Sequence, residues 1–111
     1  MKIKQYDIWI ADLNPTRGTE PGKIRPVVIV QTDLLNEIHP SSIVCPITSG
    51  VNKNSKILRV HLRKGQLEVA SDILVDQIRS IDNKRLIRKV SQLSKEQIET
   101  LRKNIKIVLD L

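Results

Sequence analysis

The chain has 111 residues, a formal net charge of +7 and one cysteine. That length makes one domain, with a core that hides roughly 60–70% of the unfolded surface. A single thiol excludes an internal disulfide, the apolar run 27–30 falls far short of a spanning helix, and the N-terminus has no signal-peptide core, so a cytoplasmic protein without a membrane role is expected.

The charge is unevenly placed. Residues 1–50 carry five basic and five acidic side chains, so the second half holds the remaining 14 basic residues against 7 acidic ones. A basic surface favours polyanions. The only aromatic residues are Tyr6 and Trp9, too few for a surface that binds single strands by stacking bases. If nucleic acid is the partner, arginine, lysine and backbone groups make the grip.

In chain order, residues 7–13 are rich in β-formers and predict a strand buried on both faces. A polar loop follows over 14–25, holding Gly18 and Gly22. Residues 26–31 predict a central strand with Pro26 at its first position. Thr32 offers an N-cap for one or two helical turns over 32–38, then comes a turn at 39–42. A buried strand is expected over 43–47, a second polar loop over 51–55, and a half-exposed strand over 56–62 with Leu58, Val60 and Leu62 inward. A turn at 63–66, strands over 68–71 and 73–78, a turn at 80–84 and a strand over 86–93 complete the β part. Ser94 and Gln97 fit a capping box, and Ile98, Leu101, Ile105 and Val108 or Leu109 recur at helical spacing. The whole predicts a single, mainly β domain over 1–111: a small antiparallel barrel or strongly bent sheet closed by a C-terminal helix.

Metal and nucleophile motifs are missing from the sequence. His39 and His61 have no partners at ligand spacing, neither a GxxxxGK[ST] nor a GxGxxG loop occurs, and Cys45 lies in an apolar run where a buried, inert thiol is expected. No cofactor is expected. Arg25 stands out, fixed beside Pro26 at the root of a buried strand, although a surface pair with Glu20 or Asp12 would explain it equally well. Thr48, Ser49 and Gly50 end another buried strand. Together they describe a rigid basic site with a hydroxyl donor and a nearby carboxylate, suited to a phosphodiester.

Asp7, Trp9, the Asp12–Thr16 block, Gly18–Glu20 and the run from Arg25 to Val30 resemble the MazF/PemK (Kid) family of bacterial toxin endoribonucleases. The blocks 46–50 and 76–82 and the tail from Leu86 follow in the family's order, so the likeness spans about 6–109. It implies an SH3-like barrel of the CcdB/PemK type, acting as a homodimer. It also implies sequence-specific, metal-independent cleavage of single-stranded RNA and an acidic, MazE-like antitoxin that covers the RNA groove. The family's key Arg falls on Arg25, its key Thr on Thr48 and its loop carboxylate on Glu20. Thr16, Arg17, Ser49, Asp76 and Gln77 fall on RNA-contacting positions. One branch of the family has a His where this chain has Thr19 and an Arg where it has Leu74, so that branch's proton-transfer scheme does not carry over. Two other functions compete: a non-enzymatic toxin on the same scaffold, similar to the CcdB toxins that clamp DNA gyrase, and a plain nucleic-acid-binding barrel, which the basic second half permits, with Arg59, Arg63, Lys64, Lys84, Arg85, Arg88 and Lys89 on phosphates.

Overall fold

A computed structural model describes residues 2–15, 18–19 and 22–111. Its strands are β1 (Asp7–Asp12), β2 (Ile24–Ile29), β3 (Ser41–Thr48), β4 (Arg59–Leu62), β5 (Ser71–Leu74), β6 (Arg79–Asp82) and β7 (Leu86–Gln92), and one helix follows, α1 (Lys95–Leu109). All the strand pairs are antiparallel, in the order β4-β5-β3-β2-β1-β7, with β6 also pairing with β3.

The sheet is bent around β3. Its first half pairs with β6 (Ser41 to Val44 against Asp82 to Arg79), and its last residues, Ile47 and Thr48, pair with Ile73 and Asp72 of β5. Side chains alternate across a strand, and here both faces are buried. Ile8, Val28, Cys45 and Ile47 join Leu101 of α1 in one core, while Trp9, Ala11, Val27, Ile29 and Val44 pack with Ile81 and Leu86 in a second. This is why β1, β2 and β3 read as nearly continuous apolar runs rather than alternating ones.

The helix begins as expected. Ser94 Oγ accepts from Gln97 N at 3.3 Å, and Gln97 Oε1 accepts from Ser94 N at 2.8 Å. Ile98, Ile105 and Val108 pack on the core around Leu101, and Leu109 is exposed.

Several expected elements differ. Strand β2 starts at Ile24, placing Pro26 third; pairing with β3 begins only at Val27, so the missing N–H falls where β2 has a single neighbour. Residues 32–38 form successive turns instead of a helix: Glu37 has φ 75°, a left-handed conformation that breaks helical propagation. The strand expected over 56–62 is only β4, with Leu58 exposed, and of the one expected over 68–71 only Ser71 is strand, as the buried start of β5, while residues 68–70 are exposed. The apolar run 73–78 is broken by a short 3₁₀ turn, Val75–Gln77, and the turn expected at 80–84 is largely strand β6 followed by a 3₁₀ turn, Asn83–Arg85. The break lets the chain leave one end of β3 and rejoin the other.

Candidate active site

The first site residue is held by its own loop. Arg25 lies on β2 opposite Ala11, and its Nε donates to the carbonyl of Gly22 at 2.8 Å. That bond uses the inner nitrogen and leaves the two terminal nitrogens of the fork to face a ligand. The described ends of the loop are tied together: Lys23 N donates to Asn14 Oδ1 at 2.8 Å, Leu13 N donates to Lys23 O at 2.9 Å, and Arg85 Nη1 donates to the carbonyls of Asp12 and Asn14. Arg85 thus braces this backbone through Nη1. Asp12 Oδ1 accepts from Asn14 N, and among the described residues no carboxylate forms an ion pair with Arg25.

The second is Thr48, the last residue of β3. Its Oγ1 accepts from Gly50 N at 3.1 Å, which leaves the hydroxyl hydrogen available to donate. Arg25, Thr48 and Ser49 line one groove of about 960 Å³, between the root of β2, the end of β3, the 65–69 loop and β7. Lys23, Arg88 and Lys89 add positive charge, Lys89 also lying 3.2 Å from Asp7 Oδ1, whereas Glu68 is the one carboxylate among the described lining residues. A cleft lined mainly by one sign of charge attracts a polyanion.

Asp76 and Gln77 lie elsewhere. They border a second cavity of about 310 Å³ with Asn52, Ser55 and Arg59. Thr19 and Leu74, the two departures from the His- and Arg-bearing family pattern, border the same cavity. The predicted RNA contacts thus divide between two adjoining depressions, with the segment after Thr48 running between them. Thr16, Arg17 and Glu20 lie outside the described residues. Cys45 is buried beneath the sheet, and burial, followed by the negative charge of Asp76, pushes its thiol up to about 12, so it is inert.

Sequence reasoning placed Arg88 and Lys89 only among general phosphate contacts, and missed the groove contribution of Glu68 and Gln66. The charge bias of the second half was the available signal, but which of its cations reach the groove depends on β7 pairing with β1.

A strongly bent antiparallel sheet closed by one helix, with a cationic groove at the ends of β2 and β3, defines a small basic barrel shaped to receive a polyanion. The chain belongs to the family of PemK-like, MazF-like toxins of type II toxin–antitoxin systems, whose model matches residues 4–109. It is 42% identical over 99 residues to Endoribonuclease MazF of Staphylococcus epidermidis, covering 86% of this chain and 82% of that relative. Its fold matches crystalline MazF from Deinococcus radiodurans with a TM-score of 0.86 at 20% identity, covering 100% of this chain and 99% of the other. A MazE–MazF crystal structure from the same organism gives 0.81 at 19% identity, covering 100% and 98%.

Proposed function

We propose that the chain is the toxin of a toxin–antitoxin pair, a sequence-specific endoribonuclease that cuts single-stranded RNA without a metal ion. The observation that carries this reading is the convergence of Arg25 and Thr48 on one cationic groove. The family membership and the 42% identity to a MazF endoribonuclease support it.

The reaction is an internal transesterification. The RNA 2′-oxygen gives up its proton to a base and bonds to the adjacent phosphorus. The P–O5′ bond breaks, and the 5′-oxygen takes up a proton as it leaves. The products are a 2′,3′-cyclic phosphate and a 5′-hydroxyl. Arg25 binds the phosphate through its terminal nitrogens and stabilises the charge that develops on it. Thr48 donates a hydrogen bond to the same group. Glu20 is the base: arginine is effectively always protonated and is a poor acceptor, and a carboxylate is the remaining chemistry in the first loop. Thr16, Arg17 and Ser49 hold the strand beside the scissile phosphate, while Asp76 and Gln77 contact bases in the adjoining cavity. The working form is a homodimer, and the antitoxin, MazE-like, lays an acidic segment along the groove in place of RNA.

The test is cleavage of single-stranded RNA by the full chain in EDTA, with product ends read by mass spectrometry. Cyclic phosphate ends are expected. Arg25→Ala and Thr48→Val should stay folded and lose on the order of 10²–10³-fold in rate. Glu20→Gln should lose more rate than Glu68→Gln. Full activity in Arg25→Ala, or activity abolished by EDTA, would refute this mechanism.

A further inference from the structure

Two buried polar side chains are unexplained by core packing. Asp72 of β5 is fully buried, and Asn104 of α1 is nearly so. A charge inside a core is costly unless several donors face it. Asp72 has three: Oδ2 accepts from Asn52 N at 2.9 Å and from Arg59 Nη1 at 3.0 Å, and Oδ1 lies 2.7 Å from His61 Nδ1. Burial, the largest influence, pushes this carboxyl up, but the bonds from Asn52, His61 and Arg59 together hold it below its ordinary range.

Asn52 lies in the segment 49–58 itself, and the other two donors, Arg59 and His61 on β4, reach back to it. Arg59 Nη1 also donates to Gly50 O at 3.0 Å, and His61 Nε2 lies 3.1 Å from Ser55 O. Asn104 acts from the helix side, its Nδ2 donating to the carbonyls of Lys56 at 3.2 Å and Arg59 at 3.3 Å. Residues 49–58 have little core of their own, since Val51, Ile57 and Leu58 are exposed. A segment with so few apolar contacts is ordinarily mobile; here buried polar anchors replace the missing core.

The same segment separates the two depressions of the site. Ser49 lines the Arg25 groove, and Asn52, Ser55 and Leu58 line the cavity of Asp76 and Gln77. Thr48, immediately before it, is the ladder partner of Asp72. We propose that Asp72, acting through Arg59 and His61, is a positioning residue that holds residues 49–58 as a rigid wall against which RNA bases are discriminated. This rests on the ribonuclease reading. Fixing the wall in advance removes the cost of ordering it on binding, and penalises bases that would need it to move.

His61 links Asp72 directly to the segment. Its two ring nitrogens face the Asp72 carboxylate and the Ser55 carbonyl, so one side chain spans both. Arg59 on β4, Arg63 beyond it and Glu96 on α1 are the other charged groups around the ring.

The experiment compares wild type, Asp72→Asn and His61→Gln in two ways. The first is the ratio of kcat/KM for the preferred RNA to that for single-base variants of it. The second is amide hydrogen exchange of residues 49–58 without RNA. Asp72→Asn should lower the ratio by about tenfold or more and speed the exchange, with kcat on the preferred RNA changed much less. The His61→Gln ratio should be low as well, because the link from Asp72 to the Ser55 carbonyl is lost. His61 is partly exposed, so this variant carries both readouts if Asp72→Asn does not fold. Faster exchange with an unchanged ratio, or unchanged exchange, overturns the proposal. A wild type that orders the segment but cuts no RNA overturns the ribonuclease reading and this inference with it, and the RNA-free exchange tells the two failures apart.

Discussion

At Arg25 the backbone does the aiming: a glycine carbonyl takes Nε, so the fork faces the groove before any ligand arrives. Such pre-orientation matters because a donor stabilises a transition state most when it need not reorganise. Arg25 and Thr48 were legible in the sequence because each sits where an apolar strand meets polar residues. Asp72 was not, since an aspartate beside Ile73 looks like an ordinary strand end until β4 brings Arg59 and His61 across from it. Its folded carboxyl is held low, so its stabilising contribution is present above the unfolded carboxylate range, near about 3.9, and is lost as pH falls through the lower folded value. The gap in melting temperature between wild type and Asp72→Asn should accordingly narrow on acidification below about pH 4, as read by thermal melts across pH.

Among the elements, α1 was the most legible, because capping residues and a 3.6-residue period are local signals. Its cap also reaches the site. Gln97 Oε1 accepts from Gln66 Nε2 at 2.7 Å and Gln97 Nε2 donates to Gln66 Oε1 at 2.6 Å, and Gln66 lines the Arg25 groove. Ser94→Ala should cost about 1 kcal/mol of stability, seen in denaturant melts, with little effect on cleavage. Gln97→Ala should cost a similar amount and also loosen residues 65–69, visible as faster hydrogen exchange there. The breaks around β5 and β6 were hidden because they serve pairing with residues 24 to 41 positions earlier: β5, before the break, pairs with the last residues of β3, and β6, after it, with the first. Period and composition carry no record of that corner.

On the scale of the whole molecule, the basic excess of the second half reaches the first half's loop through the pairing of β1 with β7, which sets Arg88 and Lys89 beside the Arg25 groove. Arg88→Ala should weaken RNA binding across sequences and flatten the dependence of log affinity on log salt by about 0.7, the share of one single-strand phosphate contact. Binding titrations at several salt concentrations measure both. A loss confined to one RNA sequence would instead make Arg88 a base reader. Among the described residues, no helix is long and apolar enough to cross a membrane.

Sequence alone determined the mainly β composition, the capped final helix, the buried thiol and the pairing of a rigid arginine with a hydroxyl-ended strand, because each is written in neighbouring residues. Tertiary structure decided which cations share the groove, that Asp76 and Gln77 face a separate cavity, and that Asp72 and Asn104 hold the segment between them. Those facts depend on contacts between strands and helix far apart in the chain, which local pattern does not encode.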